Sequence, residues 1–100
     1  MKEIFRLKEM LEKENIPFEC EEHKDFDGYQ IGYPVLPRHR KCICSAIQHK
    51  FSYGYDDDLI EIWGLSELDY DDVEGYLSAE DVFERIKNHY KEGGIDEKSL

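Results

Sequence analysis

The stretch Cys42-Ile-Cys-Ser-Ala-Ile-Gln-His-Lys-Phe-Ser-Tyr-Gly-Tyr-Asp-Asp-Asp-Leu-Ile-Glu-Ile-Trp-Gly-Leu65 decides the fold. It holds two short apolar runs rich in isoleucine and aromatic side chains, separated by a polar segment with Gly54, Asp56, Asp57 and Asp58. Runs of that length, bounded by turn-forming residues, predict two strands of a hairpin rather than one helix. Cys42 to Gln48 is apolar on both alternating faces, with Cys42, Cys44 and Ala46 on one and Ile43 and Ile47 on the other. That pattern predicts a central strand covered on both sides, with Leu59 to Leu65 as its neighbour.

Working outward, residues 2–15 carry Ile4, Leu7 and Leu11 at helical spacing, with Phe5 and Met10 widening the stripe. Asn15 suits a helix end and Pro17 forbids continuation. Phe18 to His23 alternates apolar and polar, which predicts a strand with Phe18 and Cys20 inward. Asp27-Gly28 is a hairpin turn signal, and Tyr29, Ile31 and Tyr33 alternate on the next strand until Pro34. Val35 to Lys41 is a loop by its prolines. On the far side, residues 66–77 are acidic and are expected to form an ordered loop anchored by Leu68, Tyr70, Val73, Tyr76 and Leu77. Ser78-Ala-Glu-Asp81 resembles a capping box, Val82, Phe83, Ile86 and Tyr90 form a helical stripe, and Gly93-Gly94 stops it. The expectation is one α+β domain over residues 1–94, with 95–100 as a frayed tail. It has an N-terminal helix, an antiparallel sheet of about four strands and a C-terminal helix, both helices packed on one sheet face. Leu7, Leu11, Ile43, Ile47, Ile60, Ile62, Phe83 and Ile86 are its expected core.

One hundred residues suffice for one modest core, and a 40% hydrophobic fraction argues against general disorder. Without an apolar run near the length of a bilayer span, or a signal-peptide core at the start, a soluble protein of the cytoplasm is expected. Three cysteines, an odd number, fit free thiols in a reducing compartment. The formal net charge of −11 disfavours nucleic acid and anionic membrane as partners and leaves a basic protein surface open.

That charge is unevenly placed. From Gly28 to Tyr55 there is no acid, and from Phe51 to Glu84 no Lys, Arg or His. Acids interleaved with aromatics in the second stretch point to a partner-binding surface of Tyr55, Asp56, Asp57, Asp58, Asp69, Tyr70, Asp71, Asp72 and Glu74. The plainer reading is a solvated face. Arg38, His39, Arg40 and Lys41 offer an alternative ligand site, able to cradle the phosphates of a small nucleotide or to pair with the chain's own acids. Cys42-x-Cys44 with Cys20, His39 and His49 lacks the tight turn and second pair of a zinc site. Asp72-Val-Glu-Gly75 puts Tyr70 where a calcium loop needs an oxygen donor. No metal or cofactor is therefore expected. His23, His39 and His49 are scattered relative to Ser45 and Cys44, and no phosphate loop or hydrolase motif occurs, so an enzyme is not expected.

Gly28-Tyr-Gln-Ile31, Cys44-Ser-Ala-Ile-Gln-His49, Ser52-Tyr-Gly54, Asp57-Asp-Leu-Ile-Glu-Ile62 and Asp72-Val-Glu-Gly-Tyr-Leu-Ser-Ala-Glu80 together have a familiar texture. The chain resembles a group of small proteins carried by phages and prophages of Gram-positive gut bacteria. The resemblance implies a phage accessory protein working in the bacterial cytoplasm. Joined to the acidic-aromatic surface, it leads to the expectation of a protein that binds and modulates a host protein, such as a defence or nucleic-acid enzyme.

Overall fold

The computed structural model describes residues 2–66 and 73–93. Its elements run α1 (Glu3–Lys13), β1 (Glu19–His23), β2 (Gly28–Tyr33), β3 (Cys44–Gln48), β4 (Ile60–Trp63), β5 (Glu74–Leu77) and α2 (Ala79–Lys91). The fold is α+β, with five strands in the order β1-β2-β3-β4-β5 and every neighbouring pair antiparallel.

The ends of the helices follow local chemistry. Asn15 takes a left-handed conformation after α1, its amide bonds the Glu12 carbonyl, and the Ile16 amide bonds the Leu11 carbonyl. This is a Schellman stop, and Ile16 is buried beside it. Before α2, the Ser78 hydroxyl accepts the Asp81 amide while the Asp81 carboxylate accepts the Ser78 amide. The capping box expected from the sequence is thus formed.

Register then sets the faces. Ile31 pairs with Ala46 and Ala46 with Ile62, so all three project to one side. There they join Ile4, Leu7, Leu11, Val82 and Ile86 in a single buried cluster, which places both helices on that face.

Three expectations change. Residues 74–77, read as loop, form the fifth strand, with Leu77 buried against the core and Val73 and Tyr76 exposed; residues 67–72 lie outside the described residues. Cys20 shares the face of its partner Ile31 but is exposed, because β1 is the edge strand of the sheet and pairs on one side only, with β2. The third change is in β3, where Cys44 and Ala46 face the core while Ile47 points to the opposite face and is half-buried. Alternation turns only one of the two sets inward, and the pairing of Ala46 with Ile31 and Ile62 decides which.

Candidate interaction surface

Among the described residues, the sheet face away from the helices has no covering layer of secondary structure. Register puts Glu21, Gln30, Ile47 and Glu61 in one cross-strand row and Glu19, Gly32, Ser45 and Trp63 in the next. At one end the loop after Tyr33 folds back onto this face. A side chain at Gly32 would meet the Val35 carbonyl oxygen at 2.3 Å, so glycine is required there. Leu36 is buried by this fold-back, and its amide bonds the Glu19 carboxylate at 2.8 Å.

Across the middle runs a polar chain. The His23 Nε2–H donates to Gln30 Oε1 at 2.7 Å, and the Gln30 amide donates to the Ser45 hydroxyl at 2.8 Å. At the far end four rings gather. His23 and His49 lie 6.0 Å apart between centroids, and Phe26 lies 5.4 Å from Phe51. Beyond them the Tyr53 amide is fastened to the Glu61 carboxylate at 3.0 Å. Phe26, Phe51, Tyr53 and Trp63 remain large exposed apolar groups on or beside this face.

The acids proposed from the sequence have divided roles. Asp56 and Asp57 are exposed in the 3-10 turn Tyr55–Asp57. Tyr55 is half-buried, and its hydroxyl donates to Asp27 at 2.6 Å. Asp58 is structural, for its carboxylate accepts the Glu3 amide at 3.1 Å and the Gln48 side-chain amide. Glu74 forms a two-pronged ion pair with Arg85, at 2.8 and 2.9 Å, reaching toward α2 rather than outward. Asp69, Tyr70, Asp71 and Asp72 lie outside the described residues. In the basic loop, Arg38 pairs with Glu21 at 3.0 Å and the His39 ring accepts the Lys41 amide, while Arg40 is exposed.

The chemical inventory is quiet. Burial raises the Cys44 thiol to about 12, and the Cys42 thiol, also raised by burial, points at the Cys44 carbonyl. Neither has the thiolate character a nucleophile needs. Among the described residues no three His, Cys, Asp or Glu side chains converge to hold a metal ion, and no helix is long and apolar enough to cross a membrane. Folding does bring His23 and His49 together and links Ser45 to His23 through Gln30, which linear spacing had not indicated. Among the described residues, the bond to the Ser45 oxygen comes from the Gln30 amide.

Asp58 also sets an acid limit on stability. Burial pushes its carboxyl up, but the bonds from Gln48 and the Glu3 amide, with the charge of Lys2 nearby, outweigh this and hold it below its ordinary value. A carboxyl depressed in the folded state stabilises above its unfolded value, about 3.9, and that contribution is lost as pH falls through the folded value. Asp58→Asn is therefore expected to be less stable than the parent at about pH 7, with the gap closing toward about pH 2. Urea midpoints at both pH values check this, and a gap independent of pH would remove Asp58 from the acid response.

Trp63 and Tyr53 stand among the aromatics that the sequence interleaves with its acids. Phe26 and Phe51 carried no such signal, because they stand on separate turns that only the sheet register brings together. Comparison of the chain with protein-family models, curated proteins and solved structures finds no match.

Proposed function

We propose that this chain is a non-enzymatic phage or prophage accessory protein of the bacterial cytoplasm that binds a host protein through its open sheet face. The partner is a protein with a basic surface, such as a defence or nucleic-acid enzyme, and the effect is occlusion of that surface. The observation that carries the reading is the asymmetry of the sheet. One face is sealed by two helices, and the other leaves Phe51 at 68%, Tyr53 at 60% and Trp63 at 43% exposure on or beside it. Exposed aromatics supply contact area at low entropic cost and are the usual anchors of a protein interface. A net charge of −11, with Asp56 and Asp57 exposed three and four residues from Tyr53, selects a basic partner and speeds its approach.

The test is kinetic. A protein captured by the parent chain from a Gram-positive host lysate is to be measured against Asp56→Lys/Asp57→Lys and against Trp63→Ala. The double reversal is expected to slow association about tenfold, as added salt does in the parent, because exposed charges act mainly on encounter. Trp63→Ala is expected to speed dissociation by about tenfold or more, the effect of losing an anchor of about 1.4 kcal/mol or more. Asp58 and Glu74 are excluded from the reversal, since their carboxylates hold the fold. A captured protein indifferent to both variants would overturn the reading.

A further inference from the structure

The corner of the open face where His23, Phe26, His49 and Phe51 meet contains a hydrogen bond that only a neutral ring can make. The His49 Nδ1 accepts the Phe51 amide at 3.2 Å, so this nitrogen carries no proton. The rest of the turn is fully bonded: the Ser52 hydroxyl donates to the His49 carbonyl at 2.7 Å and accepts the His49 amide at 3.0 Å, and the Lys50 amide bonds the Phe26 carbonyl at 2.9 Å. The main chain at His49 packs closely on Gly28, where a side chain would sit 2.3 Å from the His49 Cβ, and the Phe26 ring lies 5.6 Å from the imidazole.

We propose that His49 is a proton-operated latch for this corner: neutral, it holds Phe51 beside Phe26 on the docking face, and protonated at Nδ1, it releases Phe51. The inference rests on the docking reading for its consequence, whereas the latch itself is a property of the free chain. Its physical basis is a donor facing a donor. A proton on Nδ1 would confront the Phe51 N–H, so protonation there breaks the bond that ties the Phe51 amide to the ring. His23 differs, because its Nε2–H donates to Gln30 instead of the ring accepting an amide.

The charged groups around the ring set the direction. His23 on β1 opposes a second positive charge, Lys50 adjoins it in the turn, and the turn carrying Phe26 contributes Lys24 and Asp25, with Asp27 following. Glu61 on β4 favours the proton. Burial first, then His23, hold the His49 ring below its ordinary value in spite of Glu61 and of a bond to its own backbone, both of which favour the proton. A histidine depressed in the folded state keeps its contribution above the unfolded value, about 6.5, and loses it as pH falls through the folded value. The latch is therefore closed at neutral pH and opens below it. Opening adds positive charge to the face, which also disfavours a basic partner.

The experiment is amide hydrogen exchange by NMR on the full chain between about pH 8 and pH 5, corrected for the intrinsic rate. The Phe51 amide is expected to lose protection about tenfold as the His49 ring titrates, with the Ile31 amide in the centre of β2 unchanged. In His49→Asn, the side-chain oxygen can accept the amide two residues on without titrating. This variant is expected to keep Phe51 protected throughout. Unchanged protection in the parent, or the same loss in His49→Asn, would overturn the latch. Failure of the docking reading would appear separately, in the partner kinetics, and would leave the exchange result standing.

Discussion

Ile62→Ala is expected to cost about 2–5 kcal/mol and to be among the most damaging single truncations of this sheet. Ile62 is fully buried in β4, at the centre of the cluster that joins strands and helices. The cost depends on how far the surroundings can collapse into the space left behind. Here they can collapse little, for the cross-strand neighbour on β3 is Ala46 and that on β5 is Glu74, held in place by Arg85. Small domains carry only about 5–15 kcal/mol in total. At about 4–8 °C for each kcal/mol, the thermal midpoint should fall by roughly 10 °C or more, readable by calorimetry. Ile47→Ala, one strand away but on the open face, should cost distinctly less. Equal losses would mean that the faces of the central strand had been assigned wrongly.

The second large effect is expected at Glu3. This residue lies in the first turn of α1, yet its carboxylate accepts the amide of Ala79, the first residue of α2, at 2.6 Å. Its other oxygen takes Arg6 at 2.7 Å, and Arg6 reaches on to Glu80. One buried acid thereby ties the N-termini of both helices, where a negative charge also meets the positive ends of the two dipoles. Glu3→Ala would leave the Ala79 N–H buried without its acceptor, and a lost hydrogen bond to a charged group costs about 1.5–3 kcal/mol. Glu3→Gln keeps an acceptor and loses the charge, so it should recover part of the loss. Urea denaturation of the two variants checks the order. If Glu3→Gln were as damaging as Glu3→Ala, the charge rather than the bond would be the main contribution.

These two residues mark where local reading ends. The alternation Ile60-Glu-Ile-Trp63 places Ile62 inward whatever the rest of the chain does, because side chains on a strand alternate by geometry. The same holds for the stripe of α1, the Asn15 stop and the Ser78 capping box, all settled by contacts within a few residues. From such signals the sequence by itself determined the two helices, the central hairpin, the antiparallel sheet and the sidedness of most strands.

Only the tertiary structure decided the rest. Glu74 to Leu77 looks like acidic loop in sequence, since a short edge strand with a left-handed Tyr76 has no alternation to display and forms because β4 offers it a free edge. The N-terminus of α1 has no capping side chain of its own at Lys2; Asp58 and Gln48 supply acceptors to the Glu3 and Ile4 amides from more than forty residues away. The acids read as one surface were likewise divided, some left in solvent and others taken up as caps and ion pairs. The corner of His23, Phe26, His49 and Phe51 is built from two turns that sequence distance keeps apart. Local pattern specifies which way a side chain points, but not what it meets, because the meeting depends on strand order and register, and those are set by how the whole chain buries its apolar surface.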